Sequence, residues 1–425
     1  MKLLLPGRAA PILLAALFIF SQSTPILAQR PQSRASGRTR TQPSPGVRFS
    51  SGRSATGVPF DFVGNLILLK ARVNNSAPLW FIFDTGASST VLDANQAKAL
   101  AFKERGRIAG TGTAGTAVAS RVRGVSLGFQ GVELTGRTLY TLPIDFISAA
   151  LGLRVGGIIG NDIIREFVVE IDYASKTLNF YDPSSYRYDG SGQIFPLFVG
   201  DEGNVFVNAR VEIEGREPLT GKFEVDTGST GSLTLNTPFV KKHRLLSSIT
   251  RSKQVKLGGV GGTAGAATAR VRSIRLGRFE LSDPVVRFSQ ATKGDYASAS
   301  FDGLLGGQIF SRFKVIVDLQ RRRVMLEPND LLAASFEDDM SGMKLLGDGE
   351  DFSTYLIDEV EENSPAAEAG VQGGDILAEI DGRAAREFSL EEIRRMFKLD
   401  GVEHLLTLRR GDQVVKARLK LRRLI

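Results

Sequence analysis

Two aspartates in matching surroundings are the residues of this sequence best suited to carry chemistry. Asp84 follows the apolar run LWFIF and opens D-T-G-A-S, and Asp226 follows KFEV and opens D-T-G-S-T. A lone buried carboxylate is costly, so such groups find partners or shift their pKa. If the two aspartates met, they would share one proton, because two like charges a few ångströms apart cannot both ionise easily.

A carboxyl pair of this kind can hydrolyse a carbonyl compound. The ionised member takes a proton from a water as the water attacks the carbonyl carbon, and the protonated member donates a hydrogen bond to the carbonyl oxygen. The D-T-G turns suit the task. Gly86 and Gly228 remove side chains where two backbones must approach, and Thr85 and Thr227 offer short hydroxyls that can bond across an axis.

Other catalytic chemistries have little raw material here. The chain has no cysteine, which excludes a thiol nucleophile and a thiolate metal site. Its two histidines, His243 and His404, stand in charged contexts typical of solvated side chains, and no G-x-S-x-G occurs. A Ser-His-Asp triad is therefore disfavoured. We expect neither a metal nor an organic cofactor.

The two D-T-G stretches belong to an internal repeat. Four blocks recur in the same order, and their offsets drift as loop insertions would make them drift. The paired blocks are KARV at 70–73 with NARV at 208–211, D-T-G at 84–86 and 226–228, RVR at 121–123 and 270–272, and GIIGNDIIREFVVEID at 157–172 with GLLGGQIFSRFKVIVD at 303–318. The sequence thus predicts two copies of one fold, at residues 58–188 and 189–333.

Each copy is predicted to be mostly strand. Alternating β-branched segments are punctuated by Gly and turn residues every 8–12 positions, which indicates an all-β fold. Only residues 95–103 and 238–246 resemble short helices. The stretch GTGTAG matches a dinucleotide fingerprint, but no helix pattern follows it, so a mobile hairpin is favoured. The hairpin candidates carry Gly110, Gly112 and Gly115 in the first copy and Gly259, Gly261 and Gly262 in the second.

These motifs resemble those of the aspartic proteases of the pepsin and retropepsin superfamily. The resemblance rests on D-T-G-[AS]-[ST] in each copy and on the apolar-apolar-Gly motifs at 158–160 and 304–306. It implies a bilobal all-β fold of two homologous, barrel-like lobes, with Asp84 and Asp226 as the catalytic pair. It also implies a turn supported by Thr85, Gly86, Thr227, Gly228 and Ser229, and Gly-rich flaps over the substrate.

The flaps favour one branch of that superfamily. The first flap region, 110–119, contains no tyrosine, whereas pepsin-like enzymes carry one there. Both copies keep a Gly-rich flap candidate, as in symmetrical retroviral dimers. The chain therefore resembles two fused retropepsin-like lobes more than a digestive pepsin.

One difference between the two turns predicts unequal acidity. The first copy has Ala87 after D-T-G, where the second has Ser229. A hydroxyl at this position could donate a hydrogen bond to the adjacent carboxylate and lower its pKa. We therefore expect Asp226 to ionise more readily than Asp84, and a mildly acidic activity optimum.

The segment after the second copy changes in character. Residues 334–425 are more acidic, and the run NSPAAEAGVQGGDILAEIDG at 363–382 resembles a small α+β PDZ domain of the envelope-protease type. PDZ domains bind extended peptide ends at a sheet edge. The expected peptide-binding loop is Gly342, Met343, Lys344 and Leu345, where a Lys replaces a second small residue. A purely structural docking domain stays open as the alternative.

The N-terminus predicts export. Residues 1–28 combine basic residues, an apolar stretch and a terminal small residue, as a signal peptide does, although an uncleaved anchor stays possible. Residues 29–57 are rich in Ser, Arg, Pro and Gly, which predicts a disordered linker. The net charge of +8 is carried entirely by eight basic residues before position 60. A nucleic-acid partner is thus not indicated, and no stable membrane span is expected after signal cleavage.

The sequence as a whole predicts an exported aspartic endopeptidase, in a bacterial periplasm or outside the cell. Its partners would be polypeptide substrates and possibly a C-terminal peptide bound by the PDZ domain. Two other classes stay open. One is a catalytically inactive peptide-binding scaffold, a pseudoprotease with a PDZ domain. The other is a ligand-binding β protein that uses its Gly-rich loops.

Overall fold

The computed structural model describes residues 46–200 and 203–425, together with the backbone of 14–15 and 18–19. Apart from those four positions, the predicted signal peptide lies outside the described residues, as do residues 29–45 of the predicted linker. The strands up to the end of the first copy are β1 (Leu14–Ala15), β2 (Phe18–Ile19), β3 (Gly46–Phe49), β4 (Ser54–Val63), β5 (Leu66–Val73), β6 (Leu79–Phe83), β7 (Val91–Asp93), β8 (Arg105–Gly112), β9 (Gly115–Phe129), β10 (Val132–Leu142), β11 (Val155–Ile159), β12 (Val168–Asp172) and β13 (Thr177–Tyr181).

Three short helices accompany these strands: α1 (Ala94–Ala99), α2 (Asp145–Leu151) and α3 (Asn161–Ile164). The first begins one residue before the stretch 95–103 predicted to be helical and ends within it, and Asp93 caps it by accepting a hydrogen bond from the Gln96 N–H. The other two were not predicted, because each is no longer than two turns and lies inside an apolar segment without a helical period.

The second copy repeats this order of elements. Its strands are β14 (Gln193–Pro196), β15 (Phe198–Val199), β16 (Val205–Glu212), β17 (Leu219–Val225), β18 (Leu233–Leu235), β19 (Lys253–Gly259), β20 (Gly262–Arg270), β21 (Ser273–Leu276), β22 (Phe279–Ser282), β23 (Val285–Ser289), β24 (Gly303–Leu305), β25 (Phe313–Asp318) and β26 (Arg323–Pro328). Its helices are α4 (Thr237–Lys242) and α5 (Gly307–Phe310), with single 3₁₀ turns at Leu245–Ser248 and Asp295–Ala297.

The predicted linker was too long at its C-terminal end. Residues 46–57 form β3 and the start of β4, which pair with β10 and β13 respectively. Val47 and Phe49 pack against the main apolar core. Backbone pairing and these two apolar side chains outweigh the local Ser, Gly and Arg composition on which the prediction rested, so the first lobe begins near residue 46.

Each lobe is built around three interlocked strands that end in its D-T-G turn. In the first lobe β6 runs parallel to β11, and β11 pairs antiparallel with β7. In the second, β17 runs parallel to β24, and β24 pairs antiparallel with β18. The two turns are therefore presented by equivalent frames, as two copies of one fold require.

A continuous sheet joins the two lobes. Strand β12 of the first lobe pairs antiparallel with β25 of the second over five residues, from the pair Val168–Asp318 to the pair Asp172–Lys314. The order β14-β26-β25-β12-β13-β4 carries this sheet across both copies. Apolar side chains of both lobes form a shared core, which includes the fully buried Phe180 and Phe313. The lobes are thus fused through backbone hydrogen bonds as well as by the chain.

The C-terminal domain is a small α+β unit with its own core. Its elements are β27 (Met343–Asp348), β28 (Thr354–Val360), α6 (Pro365–Glu368), β29 (Ile376–Ile380), β30 (Arg383–Ala384), α7 (Leu390–Met396), β31 (Glu403–Arg410) and β32 (Gln413–Lys420), with a 3₁₀ turn at Ala385–Glu387. The sheet runs β27-β28-β29-β31-β32, which leaves β27 at its edge. His404, predicted to be solvated, is instead buried and its Nδ1 lies 2.7 Å from Asp381 Oδ2.

Candidate active site

The two aspartates meet between the lobes. Asp84 directly follows β6 and Asp226 directly follows β17, and both side chains are fully buried. Their N–H groups donate to equivalent partners, Asp84 to the Ile159 carbonyl and Asp226 to the Leu305 carbonyl, each at 3.0 Å. Their carboxyl groups lie close enough to act on each other's pKa. The structure therefore brings together the two residues that the sequence singled out.

Backbone donors hold each carboxyl group by one oxygen. Asp84 Oδ1 accepts the N–H of Gly86 at 2.8 Å and of Ala87 at 3.1 Å. Asp226 Oδ1 accepts the N–H of Gly228 at 2.9 Å. Among the described residues, no N–H or hydroxyl donates to the Oδ2 of either aspartate. One oxygen of each carboxyl group is thus fixed and the other is left for the partner acid or for a bound reactant.

The second D-T-G turn requires glycine because there is no space there for a side chain. A Cβ on Gly228 would lie 2.3 Å from the Asp84 Cγ, far inside van der Waals contact. The Gly of each apolar-apolar-Gly motif is equally confined. A Cβ on Gly160 would lie 2.8 Å from the Ala87 carbonyl oxygen, and one on Gly306 would lie 2.4 Å from the Gly231 carbonyl oxygen.

The two threonines lock the turns together. Thr85 Oγ1 donates to the Val225 carbonyl at 2.5 Å and accepts the Thr227 N–H at 3.1 Å. Thr227 Oγ1 donates to the Phe83 carbonyl at 2.8 Å and accepts the Thr85 N–H at 3.0 Å. Each hydroxyl therefore ties its own lobe to the other, which fixes the distance between the two acids.

Burial raises the pKa of both acids. The pKa of Asp84 lies well above its usual range, first because of burial and next because of the negative charge of Asp226. Burial raises the pKa of Asp226 to about 7, with the hydrogen bond from Asp84 and the backbone donors opposing the rise. The two acids therefore titrate as a coupled pair, and their raised pKa values favour a shared proton.

The Ser229 hydroxyl, predicted to make Asp226 the more acidic member, is not among the groups that lower the pKa of Asp226. The hydrogen bonds that favour the Asp226 carboxylate come from Asp84 and from the backbone at Gly228 and Ser229, not from the Ser229 hydroxyl. That hydroxyl lies beside Gly306, where a Cβ would approach it to 3.0 Å. Both acids therefore receive similar backbone support. Ser229 supports the turn through its main chain.

The Gly-rich stretches form the two flap hairpins, β8–β9 and β19–β20. Their tips touch, since the Ala114 N–H donates to the Val260 carbonyl at 3.2 Å. Three of the six predicted glycines, Gly112, Gly115 and Gly261, lie at this contact, where an added Cβ would come within 2.6 Å of the opposite tip. Gly110 and Gly259 lie within the flap strands, and Gly262 faces open space.

The predicted PDZ loop lies at the start of the edge strand β27. Gly342 has a φ of 75° and packs on Ser364 so closely that a Cβ would lie 2.2 Å from the Ser364 Cβ. Met343 and Leu345 are buried. Lys344 Nζ is ion-paired with Asp358 at 2.7 Å. The Lys that departs from the expected loop pattern is thus engaged within its own domain.

The first lobe covers this edge of the PDZ domain. Helix α2 packs on β27, and a Cβ on Gly347 would lie 2.8 Å from the Gly152 Cα. Arg394 Nη2 of α7 donates to the Leu345 carbonyl at 3.1 Å and to the Ala150 carbonyl of α2 at 2.6 Å. This contact was not predicted, because neither surface carries a sequence motif that indicates what it packs against.

A further acid, Glu224, lies close to the catalytic pair, and another, Asp295, lies close to Glu224. Glu224 is fully buried on β17, two residues before Asp226, and Asp295 is buried in the 3₁₀ turn that follows β23. The negative charges of Asp295 and of both catalytic aspartates raise the pKa of Glu224. The signal that could have revealed Glu224 is a charged residue inside KFEV, at a position where the first copy has Ile82.

No group of three or more His, Asp or Glu side chains in the part of the chain that the structure describes is arranged to hold a metal ion. None of the helices in that part of the chain is long and apolar enough to cross a membrane.

Two family models match parts of the chain. Residues 69–163 and 209–309 match the model of a family described as aspartyl protease, and residues 356–410 match that of the PDZ domain. The matched segments fall inside the two predicted lobes and the predicted C-terminal domain. No curated protein matches the chain. Among solved structures, an aspartic proteinase from Irpex lacteus is similar at 12% identity and a TM-score of 0.44, covering 68% of this chain and 99% of that one.

Proposed function

We propose that this chain is an aspartic endopeptidase, in agreement with the two segments that match the aspartyl protease family and the segment that matches the PDZ domain. The observation that carries the proposal is the pair of Asp84 and Asp226, which are both fully buried, act on each other's pKa and are held by matching backbone donors. A scaffold that only bound peptides would need neither two buried acids nor the energetic cost of burying them.

The proposed reaction uses the pair as one acid and one base. A water held between the carboxyl groups gives a proton to Asp226 as its oxygen attacks the peptide carbonyl carbon. The Asp84 O–H first donates a hydrogen bond to the carbonyl oxygen and then transfers its proton to it, so that this oxygen becomes the second hydroxyl of a neutral tetrahedral diol, with Asp84 now ionised and Asp226 protonated. Collapse of the diol breaks the C–N bond, and the amine leaves with a proton from the pair. The touching flap tips must part to admit an extended peptide and would exclude water once closed.

Digestion of a peptide library by the purified chain tests this proposal. We expect internal cleavage that a statine-type inhibitor abolishes, because its hydroxyl replaces the attacking water between the acids. A chelator should leave cleavage unchanged. A chain that binds the inhibitor but cuts no peptide between pH 4 and pH 8 would instead favour the pseudoprotease scaffold.

For the C-terminal domain we propose regulation by docking. Its edge strand, where a peptide would add as a further strand, is covered by α2, and Arg394 bridges the two. Ion pairs on the second lobe add to the contact, including Lys253 with Glu361 at 3.1 Å. A cavity of about 880 Å³ extends from this junction to Thr230 and Gly231 beside the second active-site turn. A peptide entering the PDZ edge would therefore have to displace α2 close to the catalytic cleft.

Arg394→Ala should loosen this docking. The change removes two hydrogen bonds from a charged donor, each worth about 1.5–3 kcal/mol, so amide exchange in α2 and β27 should accelerate about tenfold or more. Hydrogen–deuterium exchange with peptide-level resolution measures this. The matched control is Arg395→Ala, since the neighbouring side chain is exposed. Equal exchange in the two variants would show that Arg394 does not hold the domain in place.

The expected setting of this activity is outside the cytoplasm. We propose that the protein is exported, in agreement with the N-terminal sequence and with a chain that has no cysteine. Its proposed partners are polypeptide substrates and a peptide end that competes with α2 for the PDZ edge.

A further inference from the structure

The two lobes differ at one buried position beside the catalytic pair. The strands that carry the aspartates read Phe-Ile-Phe-Asp in the first lobe and Phe-Glu-Val-Asp in the second. Ile82 pairs with Ile158 of β11, and Glu224 occupies the same place in the repeat, paired with Leu304 of β24. Strand alternation buries Phe223 and Val225 in the main core and turns Glu224 to the opposite face.

That face is apolar in both lobes. Ile82 joins a cluster that includes Ala119 and Val260 of the flaps. The equivalent cluster in the second lobe contains Phe206 and Leu304, which lie beside Glu224 on the flanking strands, and Tyr296. A carboxyl group thus stands where an aliphatic side chain would fit, and burying it costs several kcal/mol if it is charged and unpaired.

The charged groups that act on Glu224 are acids. Burial raises its pKa well above the usual range, and the charges of Asp226, Asp295 and Asp84 add to the rise, while the side chain of Asn204 opposes it. The phenol of Tyr296 lies in the same cluster, with the Arg287 guanidinium close to that phenol. Among the described residues, no ion pair forms with Glu224 within 4 Å.

We propose that Glu224 is a third acid of the site, a positioning residue that keeps the last proton on the Asp84–Asp226 pair as the pH rises. The inference deepens the proposed peptidase function and rests on it. Glu224 touches no reacting atom in this scheme and acts through its charge alone.

Three acids lie close together in this site, and the order in which they lose their protons sets the pH range of activity. The pair works with one proton, and activity falls on the alkaline side when that proton leaves. The largest charge effect on Asp84 is that of Asp226, and Glu224 is not among the principal ones, so a doubly ionised pair is the costliest arrangement. When Glu224 ionises first, its negative charge further disfavours loss of the remaining proton. The one-proton state of the pair therefore extends to higher pH.

The pH dependence of kcat/KM tests this in Glu224→Gln, which keeps the shape of the side chain, and in Glu224→Ile, which copies the first lobe. We expect the alkaline limb of both variants to move to lower pH by about one unit, the size of shift that one nearby like charge commonly produces. Glu212→Gln on the adjacent β16 is the control. It also removes a carboxylate, but that carboxylate is ion-paired with Arg275. An alkaline limb that coincides with wild type in both Glu224 variants overturns the proposal.

A stability measurement tests the role of Glu224 separately from the proposed peptidase function. Since the pKa of Glu224 is raised in the fold, its proton stabilises the folded state at low pH, and that stability is lost as the pH rises through the folded pKa. The Tm of Glu224→Gln minus that of wild type should thus increase between pH 5 and pH 9. A difference that stays constant would mean that Glu224 does not titrate there, which also overturns the inference. This test needs no cleavage, so an inactive wild type would count against the peptidase function only.

Discussion

Asp84→Asn and Asp226→Asn should each lower kcat/KM by on the order of 10³-fold or more, because one carboxyl group cannot both activate water and polarise the carbonyl. The fold should persist. Asparagine has the same shape, and its side-chain oxygen can accept the same backbone N–H groups, from Gly86 and Ala87 in one turn and from Gly228 in the other. Initial rates on a peptide cleaved by the wild type, with circular dichroism to verify folding, measure both parts.

The control for this pair is Asp412→Asn in the exposed β31–β32 hairpin, which should cleave like wild type. A single variant of the pair that retains activity within about tenfold of wild type would remove the basis of the mechanism, because the remaining acid would be working alone. Inhibitor binding should survive better than cleavage, since one carboxyl group can still bond to the inhibitor hydroxyl.

The second large effect concerns the threonine lock. Thr85→Val keeps the shape of the side chain but leaves the Val225 carbonyl and the Thr227 N–H buried without their partner. Each unpaired group costs about 1–3 kcal/mol, so the free energy of unfolding should fall by about 2–6 kcal/mol in total. Activity should fall with it, because the distance between the two acids depends on this contact.

Thr85→Ser is the matched control, since it loses a methyl group but keeps the hydroxyl. Denaturant unfolding of the three proteins should rank wild type and Thr85→Ser together, well above Thr85→Val. If Val and Ser variants unfolded at the same denaturant concentration, the methyl group and not the hydrogen bonds would be the stabilising feature.

Much of the site could be predicted because its functional residues lie in short contiguous motifs. The D-T-G turns, the apolar-apolar-Gly motifs and the flap glycines are local patterns, and the repeat then implies that Asp84 and Asp226 lie across an axis. Each pattern has a physical requirement behind it. Gly228, for instance, has no space for a Cβ.

The parts that were missed depend on contacts between segments far apart in sequence. Pairing of β3 with β10 orders residues whose composition indicates disorder. The hydroxyl of Ser229 lies beside Gly306, which no local pattern records. Docking of α2 on β27 joins positions about 200 residues apart. Glu224 was visible as an exception to an apolar strand, but its proximity to Asp295 became apparent only in the fold.

Because the two lobes are parts of one chain, joined through β12 and β25, a substitution can arise in one lobe without arising in the other. In a homodimer with a twofold axis, every substitution appears in both halves, so an acid introduced at the position of Glu224 would be introduced twice. Four carboxyl groups would then surround one water. Because one gene encodes both halves here, the second lobe can hold a glutamate while the first keeps Ile82. The single chain can thus adjust the protonation of its catalytic pair from one side only, a degree of freedom that a symmetrical assembly does not have.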